Sequence, residues 1–242
     1  MNGTRSAATV LTCGLALALS WPAASAGVWS PSDPPTGTRA GGVCRGEPAQ
    51  LINVAMWSGT DERDVVVADA AVVDHIYTYG GNDLICIVNS GRRTDQVIVD
   101  SGDGDDTVQT VGGSNVIYSG RDDDIIYLNG SDENVWTESG NDDIWGLGVS
   151  SGLNADGGYG NHMVQGSPGD DWLYGGDGDD LIIGTDGTDM LHGGYGNDKV
   201  EGVAGADTLD GDDDTDTCID DAASTFVECE SAVYSQPLIL TG

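Results

Sequence analysis

A repeat of nine residues runs without a break from Gly157 to Ile219 and constrains the fold more than any other feature of the sequence. Its seven units read GGYGNHMVQ, GSPGDDWLY, GGDGDDLII, GTDGTDMLH, GGYGNDKVE, GVAGADTLD and GDDDTDTCI. Gly opens every unit, and Asp fills the sixth place in every unit but the first. The eighth place holds Val164, Leu173, Ile182, Leu191, Val200, Leu209 and Cys218. Because a fixed period of this kind is typical of solenoids, the repeat predicts stacked coils rather than a helical or sandwich fold.

The same pattern continues upstream in a degenerate form, over residues 59–156. We place sixth-position residues at Asp64, Asp74, Asp83, Asp95, Asp106, Asn115, Asp124, Asn134, Asp143 and Asn154. The apolar residues two places later are Val66, Ile76, Ile85, Val97, Val108, Ile117, Ile126, Trp136 and Trp145. Solenoid coils tolerate the short insertions between these units as bulges and loops.

The residue types of the unit predict a cation site. A turn of six residues followed by three extended residues points one apolar side chain inward, at the eighth place. Gly at the first, second and fourth places permits positive φ and lets backbone carbonyls approach a common centre, where Asp adds a carboxylate. If two units complete one coil, each unit lies beneath the second unit after it. Oxygen-only ligands that face each other across coils suit Ca²⁺, and suit Mg²⁺ less because it retains its waters.

The ligand candidates follow from pairs of sixth-place Asp residues on the same edge of the solenoid. The regular array supplies Asp171 with Asp189, Asp180 with Asp198, Asp189 with Asp207, and Asp198 with Asp216. The degenerate part supplies Asp64 with Asp83, Asp106 with Asp124, and Asp124 with Asp143. His162 occupies a sixth place, and we interpret it as a lost ligand. The sequence leaves open whether residues 59–156 hold metal.

These residues resemble the RTX, or haemolysin-type, calcium-binding repeat family, over residues 59–219 and most specifically over 157–219. The resemblance implies an all-β, right-handed parallel β-roll that folds when Ca²⁺ binds between turns. It also implies that Asp171, Asp180, Asp189, Asp198, Asp207 and Asp216 are ligands. An N-terminal signal and four further cysteines depart from the best-known large members, so the chain is more similar to small secreted bacterial repeat proteins.

The composition excludes several classes of function. The chain has 41 Asp plus Glu against 8 Lys plus Arg, a formal net charge of −33. Nucleic-acid binding needs a basic surface, which this chain lacks. Attraction to an anionic membrane is excluded on the same ground.

The N-terminus and the cysteines predict export. Residues 1–26 have the charge, apolar run and small-residue site of a Sec-type signal peptide, and 27–43 read as a flexible leader. Cys44, Cys86, Cys218 and Cys229 allow three pairings, and their positions favour Cys44 with Cys86 and Cys218 with Cys229. Each bridge would cap one end of residues 44–219, with 220–242 as C-terminal cap and tail. A zinc site and a free, buried Cys218 are the alternatives.

Catalysis is not expected. Residues 148–152, GVSSG, match the nucleophile-elbow motif around Ser150, but that elbow needs a strand–turn–helix context that the repeats do not provide. Trp172, Tyr174, Met190 and His192 are predicted to share one outward face. The alternative function is therefore an extracellular adhesion module that binds a glycan or protein partner, with calcium only structural.

Overall fold

A computed structural model describes residues 39–52, 54–88, 96–149, 151–220 and 224–234. The predicted signal peptide, most of the predicted leader, Asp95 and Ser150 lie outside the described residues. The strands are β1 (Arg39–Cys44), β2 (Glu47–Ile52), β3 (Met56–Ser58), β4 (Val65–Asp69), β5 (His75–Tyr77), β6 (Leu84–Val88), β7 (Ile98–Asp103), β8 (Thr107–Val111), β9 (Val116–Arg121), β10 (Ile125–Leu128), β11 (Glu133–Trp136), β12 (Asp143–Gly146), β13 (Leu153–Asp156), β14 (Met163–Gln165), β15 (Trp172–Asp177), β16 (Leu181–Gly187), β17 (Met190–Tyr195), β18 (Lys199–Gly205), β19 (Thr208–Asp213), β20 (Thr217–Asp220), β21 (Thr225–Val227) and β22 (Ser231–Tyr234). Within the described part of the chain, no helix is long and apolar enough to cross a membrane.

The strands form two sheets that the chain visits alternately. A 12-stranded sheet has the order β1-β2-β4-β6-β8-β10-β12-β14-β16-β18-β20-β22, and a 10-stranded sheet has the order β21-β19-β17-β15-β13-β11-β9-β7-β5-β3. Among the described residues every pairing is parallel except that of β1 with β2. Since each coil adds one strand to each sheet, the fold is a parallel β-solenoid, which confirms the predicted β-roll.

The eighth place of the repeat forms the core between the two sheets. Leu173 pairs with Leu191 and Leu191 with Leu209, so successive coils in the regular array are 18 residues apart. The seven eighth-place residues from Val164 to Cys218 are fully buried in one continuous core. Their neighbours at the seventh and ninth places face outward, since side chains alternate along a strand. The prediction of two units in each coil is therefore confirmed.

Insertions between units lengthen some coils without disturbing the core. Ile85 pairs with Val108, a step of 23 residues, while Ile144 pairs with Val164, a step of 20. The apolar side chains at these positions remain fully buried.

Each end of the solenoid is tied by a disulfide bond, and both predicted pairings are present, Cys44 with Cys86 and Cys218 with Cys229. Cys44 joins a separate apolar cluster on the outer face of the 12-stranded sheet, together with Cys86 and Leu84. Cys218 lies in the main core, and Cys229 packs against it. The predicted leader ends earlier than expected, because residues 39–43 belong to β1, which pairs with β2 through backbone hydrogen bonds.

Candidate metal centre

The sixth places form two ladders along the edges of the solenoid. Ladder A precedes the strands of the 12-stranded sheet and consists of Asp64, Asp83, Asp106, Asp124, Asp142, His162, Asp180, Asp198 and Asp216. Ladder B precedes the strands of the 10-stranded sheet and consists of Asp74, Val97, Asn115, Glu133, Leu153, Asp171, Asp189 and Asp207. From Asp83 onward the members of ladder A are at most 3% exposed. Parallel stacking thus places rows of buried carboxylates at both edges of the solenoid.

One carboxylate oxygen of each regular unit is held by the coil below it. The backbone N–H of Asp180 donates to Oδ1 of Asp198 at 2.8 Å, and that of Asp198 donates to Oδ1 of Asp216 at 2.8 Å. On ladder B, Asp171 and Asp189 donate in the same way to Asp189 and Asp207, at 2.9 and 2.8 Å. These bonds fix the orientation of each carboxylate, because one oxygen is bound to the neighbouring coil.

The second oxygen of four of these carboxylates has no hydrogen-bond partner among the described residues. Oδ2 of Asp180, Asp189, Asp198 and Asp216 is buried and accepts no hydrogen bond from the described residues. Buried polar atoms are almost always satisfied, and an unpaired buried charge is costly. The four orphaned oxygens therefore indicate a cation between the coils.

Burial also raises the pKa values of these carboxyl groups. Desolvation raises the pKa of Asp189 and of Asp198 to about 7, while hydrogen bonds from the backbone N–H groups of the preceding coil act in the opposite direction. The pKa of Asp180 is raised to about 6, again mainly by burial. Neighbouring carboxylates of the same ladder raise the pKa values of Asp189 and Asp198 further. A bound cation would remove both causes, since it neutralises the ladder and replaces water as a ligand.

Glycine at the first and fourth places keeps the space between coils open. A β-carbon at Gly175 would lie 2.4 Å from Oδ2 of Asp180 and 2.6 Å from the carbonyl oxygen of Gly193. Gly178 has φ +126°, and a β-carbon there would lie 2.1 Å from the carbonyl oxygen of Gly160. Carboxylate and carbonyl oxygens thus meet where no side chain fits. This all-oxygen donor set suits Ca²⁺, and Asp180, Asp189, Asp198 and Asp216 have the orphaned oxygens that would bind it. Both oxygens of the predicted ligand Asp171 already accept hydrogen bonds, from Ser167 and Leu153.

The degenerate part confirms two predicted neighbour pairs and corrects a third. The N–H of Asp64 donates to Asp83 at 2.7 Å, and the N–H of Asp106 donates to Asp124 at 2.8 Å. The prediction that Asp143 pairs with Asp124 is wrong, because Asp124 donates to Oδ1 of Asp142 at 2.8 Å while Asp143 is a partly exposed strand residue. The inward residue of that unit is correspondingly Ile144 and not Trp145.

In other units of this region the sequence pattern also predicts the wrong sixth place, because an Asp or Asn residue lies near the true one. Glu133 and Val135 occupy the sixth and eighth places assigned to Asn134 and Trp136. Leu153 takes the place assigned to Asn154, and Val97 takes the sixth place that was assigned to Asp95. The period of nine in fact continues unbroken from Asp106 to Asp142. Since side chains alternate along a strand, an error of one residue exchanges the inner and outer faces.

Three further residues of the ladders escaped the sequence argument. Glu133 accepts from the N–H of Asn115 at 2.9 Å, although it is a Glu among Asp and Asn residues. After the last repeat, Glu230 Oε2 accepts from the N–H of Asp216 at 2.7 Å, and Ser224 Oγ accepts from that of Asp207 at 3.0 Å. Glu230 directly follows Cys229, and this position beside the capping disulfide is the sequence feature that could have indicated its place in ladder A. The cap therefore extends both ladders by one step.

His162 lies in ladder A as predicted. Its Nδ1 accepts the N–H of Asp142 at 3.1 Å, and its own N–H donates to Oδ1 of Asp180 at 2.6 Å. The imidazole thus takes over the hydrogen bond of the missing carboxylate. It interrupts the row of carboxylates between Asp142 and Asp180.

Comparison with known families gives one match. The family model described as RTX calcium-binding nonapeptide repeat (4 copies) matches residues 100–132, 156–191 and 183–218. The chain carries RTX calcium-binding nonapeptide repeats. No curated protein and no solved structure is significantly similar to it. The matched segments include the orphaned carboxylates of the regular repeats, so the family match and the geometry agree on the β-roll, and RTX repeats bind calcium in general.

Proposed function

We propose that this protein is a secreted calcium-binding β-roll whose regular RTX array, 157–219, folds only when Ca²⁺ is bound, and that it carries out no catalytic step. The observation that supports this proposal is the set of buried Oδ2 atoms without partners at Asp180, Asp189, Asp198 and Asp216. Bound Ca²⁺ would supply the positive charge that these stacked carboxylates require. The chain's own N–H groups orient the carboxylates, and its glycines leave carbonyl oxygens accessible beside them.

Dependence of folding on the ion follows from charge. The chain has a formal net charge of −33, and the ladders place carboxylates on consecutive coils. Without a cation, these groups repel one another and resist burial, which opposes stacking of the coils. In calcium-rich surroundings outside the cell, an affinity of about 10⁻⁴–10⁻³ M is sufficient for folding.

The test is a calcium titration followed by circular dichroism and by equilibrium measurement of the bound ion. We expect the β signal to increase with Ca²⁺, with Mg²⁺ at equal concentration as the matched control. About four ions would mean that only the RTX array 157–219 is loaded, and about seven or more that the degenerate part is loaded as well. Absence of any gain in β signal, or an equal gain with Mg²⁺, would refute the proposal.

Export is the second part of the proposal. Two disulfide bonds favour an oxidising compartment, and RTX repeats are usually extracellular. Expression of the full chain in a bacterium, followed by mass determination of protein from the medium, is expected to show a chain that starts at Gly27. Retention in the cells with residues 1–26 uncleaved would contradict export without affecting calcium binding.

A further inference from the structure

A second type of cation ligand set lies on the outer face of the 10-stranded sheet, away from the ladders. Asp156, Tyr174, His192 and Asp210 occupy the outward ninth place on consecutive coils and pair in register along β13, β15, β17 and β19. Asp212 follows two residues after Asp210, at the second place of the last repeat, where the preceding coil has Gly194. The last coil thus adds two carboxylates next to one imidazole.

The distances between these side chains fit a single small ion. Nδ1 of His192 lies 3.3 Å from Oδ2 of Asp212 and 3.9 Å from Oδ2 of Asp210. One ligand atom from each of the three residues lies within 4.8 Å of the other two. In a tetrahedral site with ligands at about 2.0–2.1 Å, neighbouring ligand atoms are separated by about 3.3–3.4 Å. The three side chains are therefore near the required spacing without rearrangement of the backbone.

The chemistry of the three ligands differs from that of the ladders. An imidazole nitrogen favours zinc and similar transition metals, whereas Ca²⁺ takes oxygen ligands. A neutral imidazole with two carboxylates balances the charge of a divalent ion. The side chains of His192, Asp210 and Asp212 are 26%, 19% and 36% exposed, which leaves a fourth position accessible to water.

The surroundings are strongly negative. Burial, followed by the negative charge of Asp212, Asp156 and Asp177, raises the pKa of Tyr174 above its usual value. Burial and then the neighbouring Asp210 raise the pKa of Asp212, while His192 acts in the opposite direction. A concentration of negative charge on one face attracts cations from solution.

We propose that His192, Asp210 and Asp212 form a binding site for a divalent transition metal, Zn²⁺ in particular, on the outer face of the roll and separate from the calcium ladders. The ligand set is complete only at the last coil, which supplies Asp210 and Asp212. The positions equivalent to these two residues hold His192 and Gly194 one coil earlier, and Tyr174 and Gly176 two coils earlier. The competing interpretation is an ion pair between protonated His192 and the two carboxylates.

The experiment is a titration of Zn²⁺ into calcium-saturated full-length protein, in wild type, His192→Gln and Asp212→Asn. His75→Gln is the matched control, because His75 lies on the same sheet beside Tyr77, with no metal-ligand cluster around it among the described residues. We expect wild type and His75→Gln to bind one Zn²⁺ that the other two variants bind about 10- to 100-fold more weakly. Calcium stoichiometry and the β signal are expected to stay unchanged in all four proteins.

Two outcomes would overturn the proposal. Wild type that takes up no Zn²⁺ in the presence of Ca²⁺ would support the plain ion pair. Equal Zn²⁺ binding by wild type and His192→Gln would assign the zinc to ladder carboxylates. Co²⁺ provides a readout that needs no variant, since a four-coordinate site with a nitrogen ligand gives intense visible absorption, and absence of that band would also count against the site.

Discussion

The two halves of the roll place different groups beside their buried carboxylates. In the glycine segment, residues 157–219, the first place of every unit is Gly. In the hydroxyl segment, residues 78–142, the first places on the ladder A side are Thr78, Ser101, Ser119 and Thr137, all fully buried. The two segments share one continuous core, and this column is one chemical difference between them.

Three of the buried hydroxyls of this column donate to the carbonyl of the first place in the next coil. Thr78 Oγ1 donates to the carbonyl of Ser101 at 2.8 Å, and Ser101 Oγ donates to the carbonyl of Ser119 at 2.9 Å. Thr137 Oγ1 donates to the carbonyl of Gly157 at 2.5 Å. Hydroxyls also lie beside the carboxylates, since Ser101 and Ser119 lower the pKa values of Asp106 and Asp124 against the larger effect of burial. Oδ2 of Asp106 and of Asp124 nevertheless accepts no hydrogen bond from the described residues, so we infer that the hydroxyls add links between coils here without completing the carboxylates.

Ladder B strengthens the contrast. In the glycine segment it carries Asp171, Asp189 and Asp207, but upstream it carries Val97, Asn115, Glu133 and Leu153. Glu133 is satisfied by Asn115 and by the hydroxyl of Thr110, at 2.9 and 3.1 Å. Ladder B therefore has few charges for a cation to neutralise in the upstream coils.

Removal of calcium is expected to have the largest effect and to separate the two segments. In excess chelator, amide hydrogen exchange of β15–β19 is expected to lose its protection, while β6–β10 retain most of theirs, because hydroxyl bonds and the Cys44–Cys86 bridge remain. Hydrogen exchange with mass spectrometry, with and without Ca²⁺, measures both segments in one sample. Equal loss in both segments would show that the hydroxyl segment also depends on the ion.

Gly175→Ala is expected to remove one site from the glycine segment. Its β-carbon would lie 2.4 Å from Oδ2 of Asp180 and against the backbone of the next coil, so the space for a ligand closes. We expect a destabilisation of at least about 3 kcal/mol, typical of severe steric strain in a packed region, with at least one bound Ca²⁺ fewer. The calcium-dependent thermal midpoint and the ion stoichiometry measure the two effects, and wild-type values for both would contradict the assignment.

The sequence predicted the repeating coil because its strongest signal, the inward eighth place, is set by burial. It predicted both disulfides from position along the chain. It failed where an Asx residue adjoined the true sixth place, as at Asn134 beside Glu133 and at Asp143 beside Asp142. A carboxylate's role there depends on which face of the coil it lies on, and that register is fixed by pairing with coils 18 residues away. The donors to each carboxylate are likewise tertiary contacts that no local pattern displays.

A change of pH tests the hydroxyl segment when calcium is absent. Burial raises the pKa of Asp106 to about 7 and of Asp124 to about 8, so the folded state binds protons more tightly than the unfolded chain. Stability from these groups is complete below about pH 4 and is lost as the pH rises through 7 to 8. We expect the thermal midpoint in chelator to fall by at least about 4 °C from pH 6 to pH 9, as measured by circular dichroism. A midpoint that rises over this range would mean that the carboxylates are ionised in the folded state.

Neutral substitutions are expected to change a different property in each segment. Asn keeps the Oδ1 acceptor that holds Asp180 in one coil, or Asp106 in the other, but removes the charge. Asp198→Asn is therefore expected to weaken calcium binding by about tenfold or more, whereas Asp124→Asn is expected to raise the thermal midpoint in chelator by about 2–4 °C. Both variants are measured by calcium titration and by thermal unfolding in chelator, so that each variant is the control for the other. A loss of calcium affinity in Asp124→Asn equal to that in Asp198→Asn would place a working ion site in the hydroxyl segment.

The smallest expected effect comes from a single hydroxyl. Ser101→Ala removes the donor to the carbonyl of Ser119 and leaves the β-carbon in place, so packing is nearly preserved. A destabilisation of about 1 kcal/mol, or a midpoint lower by about 2–4 °C, is expected, with no change in bound calcium.

Ser101→Gly extends the test, because it recreates the first place of the glycine segment and frees the same carbonyl. If the hydroxyl substitutes for the ion, the Gly variant is expected to depend more on Ca²⁺ for its stability than the Ala variant does. Equal calcium dependence of the two variants would show that the column of hydroxyls contributes hydrogen bonds alone and does not decide where the ion binds.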